Sequence, residues 1–163
     1  MTAHDSATLE ALRATPIAAS LSPEQSEVLA RLVSLRTCEP RQVLGREGEV
    51  DDRLILVVDG ALDVVKHIGT PNETLLISLR AGDLAHELGF LDGTPRHASL
   101  VATAPTRVLE LTRDALESLI DPHPRILYAV MCAVVRTVHG VQTRLSVQAS
   151  ELMNYVVKQH GRY

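Results

Sequence analysis

Apolar positions along the chain change period twice. Between Ser22 and Val33 they recur at helical steps, through Val28, Leu29, Leu32 and Val33. Ser22-Pro23-Glu24-Gln25 opens that stretch with a capping box and a proline at the first helical position. From Leu35 to Leu111 the helical period gives way to short runs of Val, Ile and Leu separated by turn residues, which predicts a barrel or sandwich of strands. Leu54–Val58 and Ala61–Val65 flank Asp59-Gly60 and predict a hairpin with a type I′ turn. Leu75–Leu79, Ala98–Ala102 and Arg107–Leu111 predict further strands, the last two joined by a turn containing Pro105. After Thr112, a helix cap by residue type, the spacing turns helical through Leu116 and Leu119, stops at Asp121-Pro122-His123-Pro124, and restarts. Ile126, Leu127, Val130, Val134, Val138, Val141 and Leu145 then form one stripe, about 35 Å long at 1.5 Å per residue. The pattern predicts a mainly β domain with flanking helices: a short N-terminal helical region, a barrel over about 35–111 and a long helix over 124–147. A shorter tail helix over 149–159 is built on Leu152, Tyr155, Val156 and Gln159.

Composition narrows this picture. At 163 residues and 45% hydrophobic content the chain can bury one sizeable core, and nothing marks a second domain. Aromatic residues make up 2%, so the core must be aliphatic and little is available to stack on a base. A net charge of −4 offers no electrostatic footprint for nucleic acid, and no direct DNA binding is expected. No apolar run approaches the roughly 18 residues of a membrane span, and the N-terminus lacks a secretory pattern. The expectation is a cytoplasmic protein without a membrane. Cys38 and Cys132 have no Cys-x-x-Cys spacing, and the seven histidines form no pair with metal-ligand spacing, so neither a zinc site nor haem is expected. The carboxylates and histidines assemble no acid, base and nucleophile set, which argues against an enzyme.

The candidate chemistry lies between Gly82 and Ser99. Glu87 and Arg96 stand nine residues apart, and Glu87-Leu88-Gly89-Phe90-Leu91 reads as a helical turn whose first backbone N–H groups are free to face an anion. Asp92-Gly93-Thr94-Pro95 follows as a tight turn that brings Arg96 back toward Glu87. A carboxylate that accepts from a hydroxyl, beside a guanidinium whose planar fork fits phosphate oxygens, suits a ribose cyclic monophosphate.

This segment resembles the phosphate-binding cassette of cyclic-nucleotide-binding domains, as found in catabolite-activator-type regulators and protein kinase A regulatory subunits, and the likeness extends over roughly residues 16–148. Gly48, Gly60 and Gly82 fall where that family has its turn glycines. The resemblance implies a jelly-roll barrel and cAMP or cGMP as ligand, with no metal. It assigns Glu87 to the ribose 2′-hydroxyl and Arg96 to the phosphate, with His86, Leu88 and the His97 backbone N–H lining the cassette. Ser99 matches a Thr or Ser linked to guanine recognition, and Gln142 falls at a position that contacts the base from the partner subunit. Three positions depart from the pattern, one of them Val141, which stands where the catabolite activator has a base-contacting threonine. His86 stands where the family has glycine and must either point away or narrow the pocket, and His97 stands where a small residue is usual. The resemblance further implies a homodimer through the 124–147 helix and, since Ser146 to Tyr163 is too short for a helix-turn-helix domain, output through a protein partner. The alternative is a ligand-free member of the fold that serves only for dimerisation or docking.

Overall fold

The computed structural model describes the backbone of residues 3–160 and the side chains of 6–140, 142–144 and 146–155. Two helices, α1 (Ala3–Arg13) and α2 (Pro23–Ala30), precede eight strands: β1 (Val33–Cys38), β2 (Val43–Gly45), β3 (Arg53–Asp59), β4 (Ala61–Lys66), β5 (Thr74–Arg80), β6 (Leu84–Ala85), β7 (Ser99–Ala102) and β8 (Thr106–Thr112). A short helix α3 (Glu87–Asp92) interrupts the strands, and α4 (Arg113–Glu117) and α5 (Pro124–His160) follow them. The strands form two antiparallel four-stranded sheets, ordered β1-β8-β3-β6 and β2-β7-β4-β5, as the mainly β, jelly-roll expectation requires.

Local caps behave as the residue types dictate. The Gln25 N–H donates to the Ser22 hydroxyl at 3.2 Å, and the Ser22 N–H donates to the Gln25 side-chain carbonyl at 2.9 Å, closing the capping box of α2. Thr112 caps α4 by accepting from the Ala115 N–H.

Asp59-Gly60 does not make a hairpin. β3 pairs with β6 and β8, whereas β4 pairs with β5 and β7, so Gly60 is a corner at which the chain passes between sheets. β7 and β8 likewise belong to different sheets and meet no ladder of their own. The two corners stack: a Cβ on Gly60, which sits at φ 84°, would collide with Thr106 and the Pro105 carbonyl. The hairpin in this region is β4–β5, closed through the loop that follows Lys66.

The expected 124–147 helix and separate tail helix are one continuous helix of 37 residues, about 55 Å long. The hydroxyl side chains across the junction are satisfied within the helix. Thr143, Ser146 and Ser150 donate their hydroxyls to the carbonyls of His139, Gln142 and Ser146, four residues back. The first part of the apolar stripe, Ile126, Val130 and Val134, is buried against the barrel. Beyond Gly140 the described side chains are exposed, among them Val147, Leu152 and Tyr155. Val141 and Leu145 of the stripe, and Val156 and Gln159 of the tail, lie outside the described side chains. The sequence pattern underestimated the apolar length of this helix. Its most apolar stretch, with mean hydropathy 1.3, is long enough by length and composition to cross a membrane, although Ile126, Ala129, Val130, Ala133 and Val134 cover the barrel instead.

The core divides into two clusters separated by β3. Leu54, Leu56 and Val58 join Leu12, Leu29, Phe90, Ile126 and Val130 under the helices. Ile55 and Val57, on the alternate face, join Leu62, Leu79, Leu100 and Val108 inside the barrel. The loop leading into β3, β6 and α3 thereby converge on one mouth of the sandwich.

Candidate functional site

A cavity of about 430 Å³ opens between β4, β5, β6, α3 and the start of β7. His86, Glu87, Leu88, Arg96, His97 and Ser99 all line it. Its strand wall is aliphatic, formed by Val64, Leu76, Ile77 and Leu79. Gln142 is not part of this lining; it lies exposed on α5, beside His139 and Ser146.

Arg96 is held from several sides. Its backbone N–H donates to the Glu49 carbonyl at 2.8 Å and its own carbonyl accepts from the Gly48 N–H at 2.7 Å, so the residue is pinned to the β2–β3 loop. A Cβ on Gly45 would overlap the guanidinium, which therefore lies flat on β2. The residue is only 5% exposed, and one terminal nitrogen donates to Asp51 Oδ2 at 2.7 Å. Its Nε–H is the one buried side-chain polar atom among the described residues without a hydrogen-bond partner. A buried donor left unpaired is costly, and this one lies against Gly45 of β2.

Asp51 is the residue that the sequence reading missed. It accepts from the Arg53 backbone N–H at 3.0 Å and from the Arg53 guanidinium at 2.9 and 2.8 Å, in addition to Arg96. Burial pushes its carboxyl up, but the hydrogen bonds from Arg53 and Arg96 outweigh this and hold it well below the ordinary carboxylate range. Arg53 continues to Glu110, and Glu110 to Arg36, so alternating charges run from the cassette across β3 and β8 to β1. Only the acidic pair Asp51-Asp52 before an apolar strand hinted at such a role, and nothing local pointed to Arg96.

His86 resolves the choice its position posed. It adopts the left-handed conformation, φ 66°, that glycine takes without strain, and its ring turns onto the β2–β3 loop. Nε2–H donates to the Asp51 carbonyl at 2.9 Å, and the ring occupies the space that a Cβ on Gly89 would need. Burial, with the Arg96 charge, lowers its pKa against the raising effect of that hydrogen bond, so the neutral ring is favoured. The side chain therefore supports the cassette from below while still contributing to the cavity wall.

Glu87 opens α3, and burial raises its carboxyl above the ordinary range, opposed by its own backbone N–H and by His97. Glu87 and Arg96 line the same cavity, and the carboxylate that pairs with Arg96 is Asp51. Ser99 is fully buried, and its hydroxyl accepts from the Glu47 N–H at 3.0 Å, which anchors the β2–β3 loop. At the far end of α3, Gly93 sits at φ 76° as the cap, and Arg113 donates to the carbonyls of Phe90 and Gly89 at 2.6 and 3.2 Å. A cation at these last carbonyls complements the helix end and fixes the cassette on α4.

Residues 35–123 match the cyclic nucleotide-binding domain family. The chain belongs to that family. A CRP-like cAMP-activated global transcriptional regulator from Mycobacterium tuberculosis is 28% identical over 100 residues, covering 61% of this chain and 45% of that protein. The chain thus spans less than half of the regulator's length. A cyclic nucleotide-binding domain from Methylobacillus flagellatus has the same fold, with a TM-score of 0.76 at 24% identity over 93% of this chain and 85% of that one. The regulatory subunit of a cAMP-independent protein kinase A from Trypanosoma brucei superposes with a TM-score of 0.67 at 26% identity, over 82% of this chain and 45% of that one. Within this cyclic nucleotide-binding domain, Asp51 holds His86 and Arg96, and Arg113 holds Gly89 and Phe90 between them. No cluster of three potential metal ligands occurs among the described residues.

Proposed function

We propose that this domain binds cAMP or cGMP in the 430 Å³ cavity and regulates a protein partner. The observation that carries the reading is the buried Arg96 that lines, together with Glu87, a mostly aliphatic cavity. In this reading the phosphate takes Arg96, the ribose hydroxyl donates to Glu87, and the base lies along Val64, Leu76, Ile77 and Leu79. That wall offers no hydrogen-bonding side chain, so cAMP and cGMP are held with similar strength unless a second copy brings Gln142 to the base. The domain works as a cytoplasmic homodimer through α5, whose exposed Val147, Leu152, Met153 and Tyr155 supply apolar surface beyond the barrel. The ligand shifts an equilibrium between two arrangements of cassette and helix by its preference for one of them.

The test is the thermal midpoint with millimolar cAMP or cGMP, beside Arg96→Ala. A ligand at 100 times its dissociation constant stabilises by about 2.7 kcal/mol. A rise that disappears in the variant supports the reading, and no rise with either nucleotide overturns it. A ligand-free docking module is the second reading, favoured by the fact that Arg96 already has a carboxylate partner in Asp51. It is also favoured by the likeness to a subunit described as cAMP-independent.

A further inference from the structure

A second cavity, of about 440 Å³, lies where the corner at Pro16 and Ile17, the Gly82-Asp83 turn and α5 meet. Leu84 is the only residue that lines both this cavity and the first. Its volume falls in the range of small-molecule sites. Pro16, Ile17, Leu56, Leu84 and Ala133 give it an apolar floor.

The α5 side is built differently. Arg136, Gly140 and Arg144 follow one another at four-residue steps and therefore share one face, with the two arginines about 12 Å apart along the axis. Between them Gly140 leaves a notch, since a Cβ there would meet no atom within 4 Å. Arg144 pairs with Asp83 at 3.6 Å, while Arg136 takes part in none of the ion pairs of the described residues. Two guanidiniums against one carboxylate leave this rim with a single excess positive charge.

We propose that the cavity binds an organic monoanion with an apolar body, of the medium-chain carboxylate class. Its head group lies over Gly140 between Arg136 and Arg144, and its tail lies on Ile17, Leu56 and Leu84. One negative charge balances the rim, and a carboxylate fits a guanidinium fork in two hydrogen bonds. The head group competes with Asp83 for Arg144. Asp83 directly precedes β6, and β6 runs into His86 and Glu87, so occupancy of this cavity is read at the cassette and, reciprocally, nucleotide is read here.

Octanoate and, as an uncharged control, 1-octanol are titrated calorimetrically into the intact chain and into three variants. Octanoate is expected to bind at least tenfold more tightly than octanol. Gly140→Met and Arg136→Gln should each weaken octanoate at least tenfold, while Arg96→Ala, in the first cavity, weakens it far less than either. Gly140→Met carries little folding risk, because the space is open and Met favours helix over Gly. The proposal is overturned if octanoate does not bind the unaltered chain, or if octanol binds equally well. It also falls if binding survives Gly140→Met and is lost in Arg96→Ala, which would put octanoate in the first cavity. Failure of cAMP and cGMP to bind would leave this result untouched, so the two readings stand or fall separately.

Discussion

Asp51 and Arg96, 45 residues apart in sequence, meet at 2.7 Å with side chains only 9% and 4% exposed. The cassette arginine is thus already committed to one carboxylate, and a bound phosphate must share it. Removing one member of a buried ion pair strands the other charge, at a cost of about 3 kcal/mol. Asp51→Asn is therefore expected to lower the denaturant midpoint of the free protein. Millimolar cAMP should recover more stability in this variant than in the unaltered chain, because phosphate replaces the lost carboxylate. A ligand-induced shift no larger than that of the unaltered chain would count against competition for Arg96.

His86 holds a backbone conformation suited to glycine while its ring bridges to the Asp51 carbonyl. His86→Ala loses the hydrogen bond and keeps the strain; His86→Gly loses the bond and relieves the strain. Left-handed backbone costs a residue with a Cβ about 1 kcal/mol. Equilibrium unfolding should therefore find the glycine variant more stable than the alanine variant by about that amount, with the unaltered chain above both.

Acid should weaken the fold in two stages. Burial lowers the His86 pKa against its hydrogen bond to Asp51, so its contribution is whole above the free imidazole value, about 6.5, and is lost as pH falls through the depressed folded value. Asp51, lowered by Arg53 and Arg96 despite burial, contributes fully above the free carboxylate value of about 3.9 and loses that contribution only as pH falls further. Glu87 has the opposite sign, because burial raises it and its contribution disappears as pH rises through the raised value. Urea midpoints measured between pH 8 and pH 5 should fall for the unaltered chain and fall less for His86→Gln, whose amide can still donate to the Asp51 carbonyl. Equal slopes for the two proteins would remove His86 from this account.

Two loop glycines share a φ of 84° and differ in their surroundings. A methyl at Gly60 meets Thr106 and the Pro105 carbonyl, whereas one at Gly48 meets nothing within 4 Å. Gly48→Ala should cost about 1 kcal/mol, the backbone penalty alone, and Gly60→Ala about 1 to 3 kcal/mol more for the steric conflict. Thermal midpoints in that order would confirm that the sheet-to-sheet corners are the tight points of the barrel.

What the sequence made legible was local. The Ser22 and Thr112 caps, the turn at Gly93, the strand runs and the cassette all announce themselves within a few residues, where hydrogen bonds and φ preferences act. Asp59-Gly60 specifies a turn but not which strands it joins, and sheet pairing over 40 and more residues decided that against a hairpin. Asp51 was illegible for the same reason, since its partner in the cassette is reached only through the folded β2–β3 loop. The break expected before residue 149 is absent, and the Ser146 and Ser150 hydroxyls are each satisfied by the carbonyl one turn back.

β3 is buried on both faces and stands as a partition between two dry compartments, with Leu54, Leu56 and Val58 turned to the helices and Ile55 and Val57 to the barrel. Such a wall separates mechanical tasks. The helical cluster and the barrel cluster have no residue in common, so β3 packs against each separately. Amides of β3 should therefore be among the last to exchange with deuterium, whatever α5 is doing.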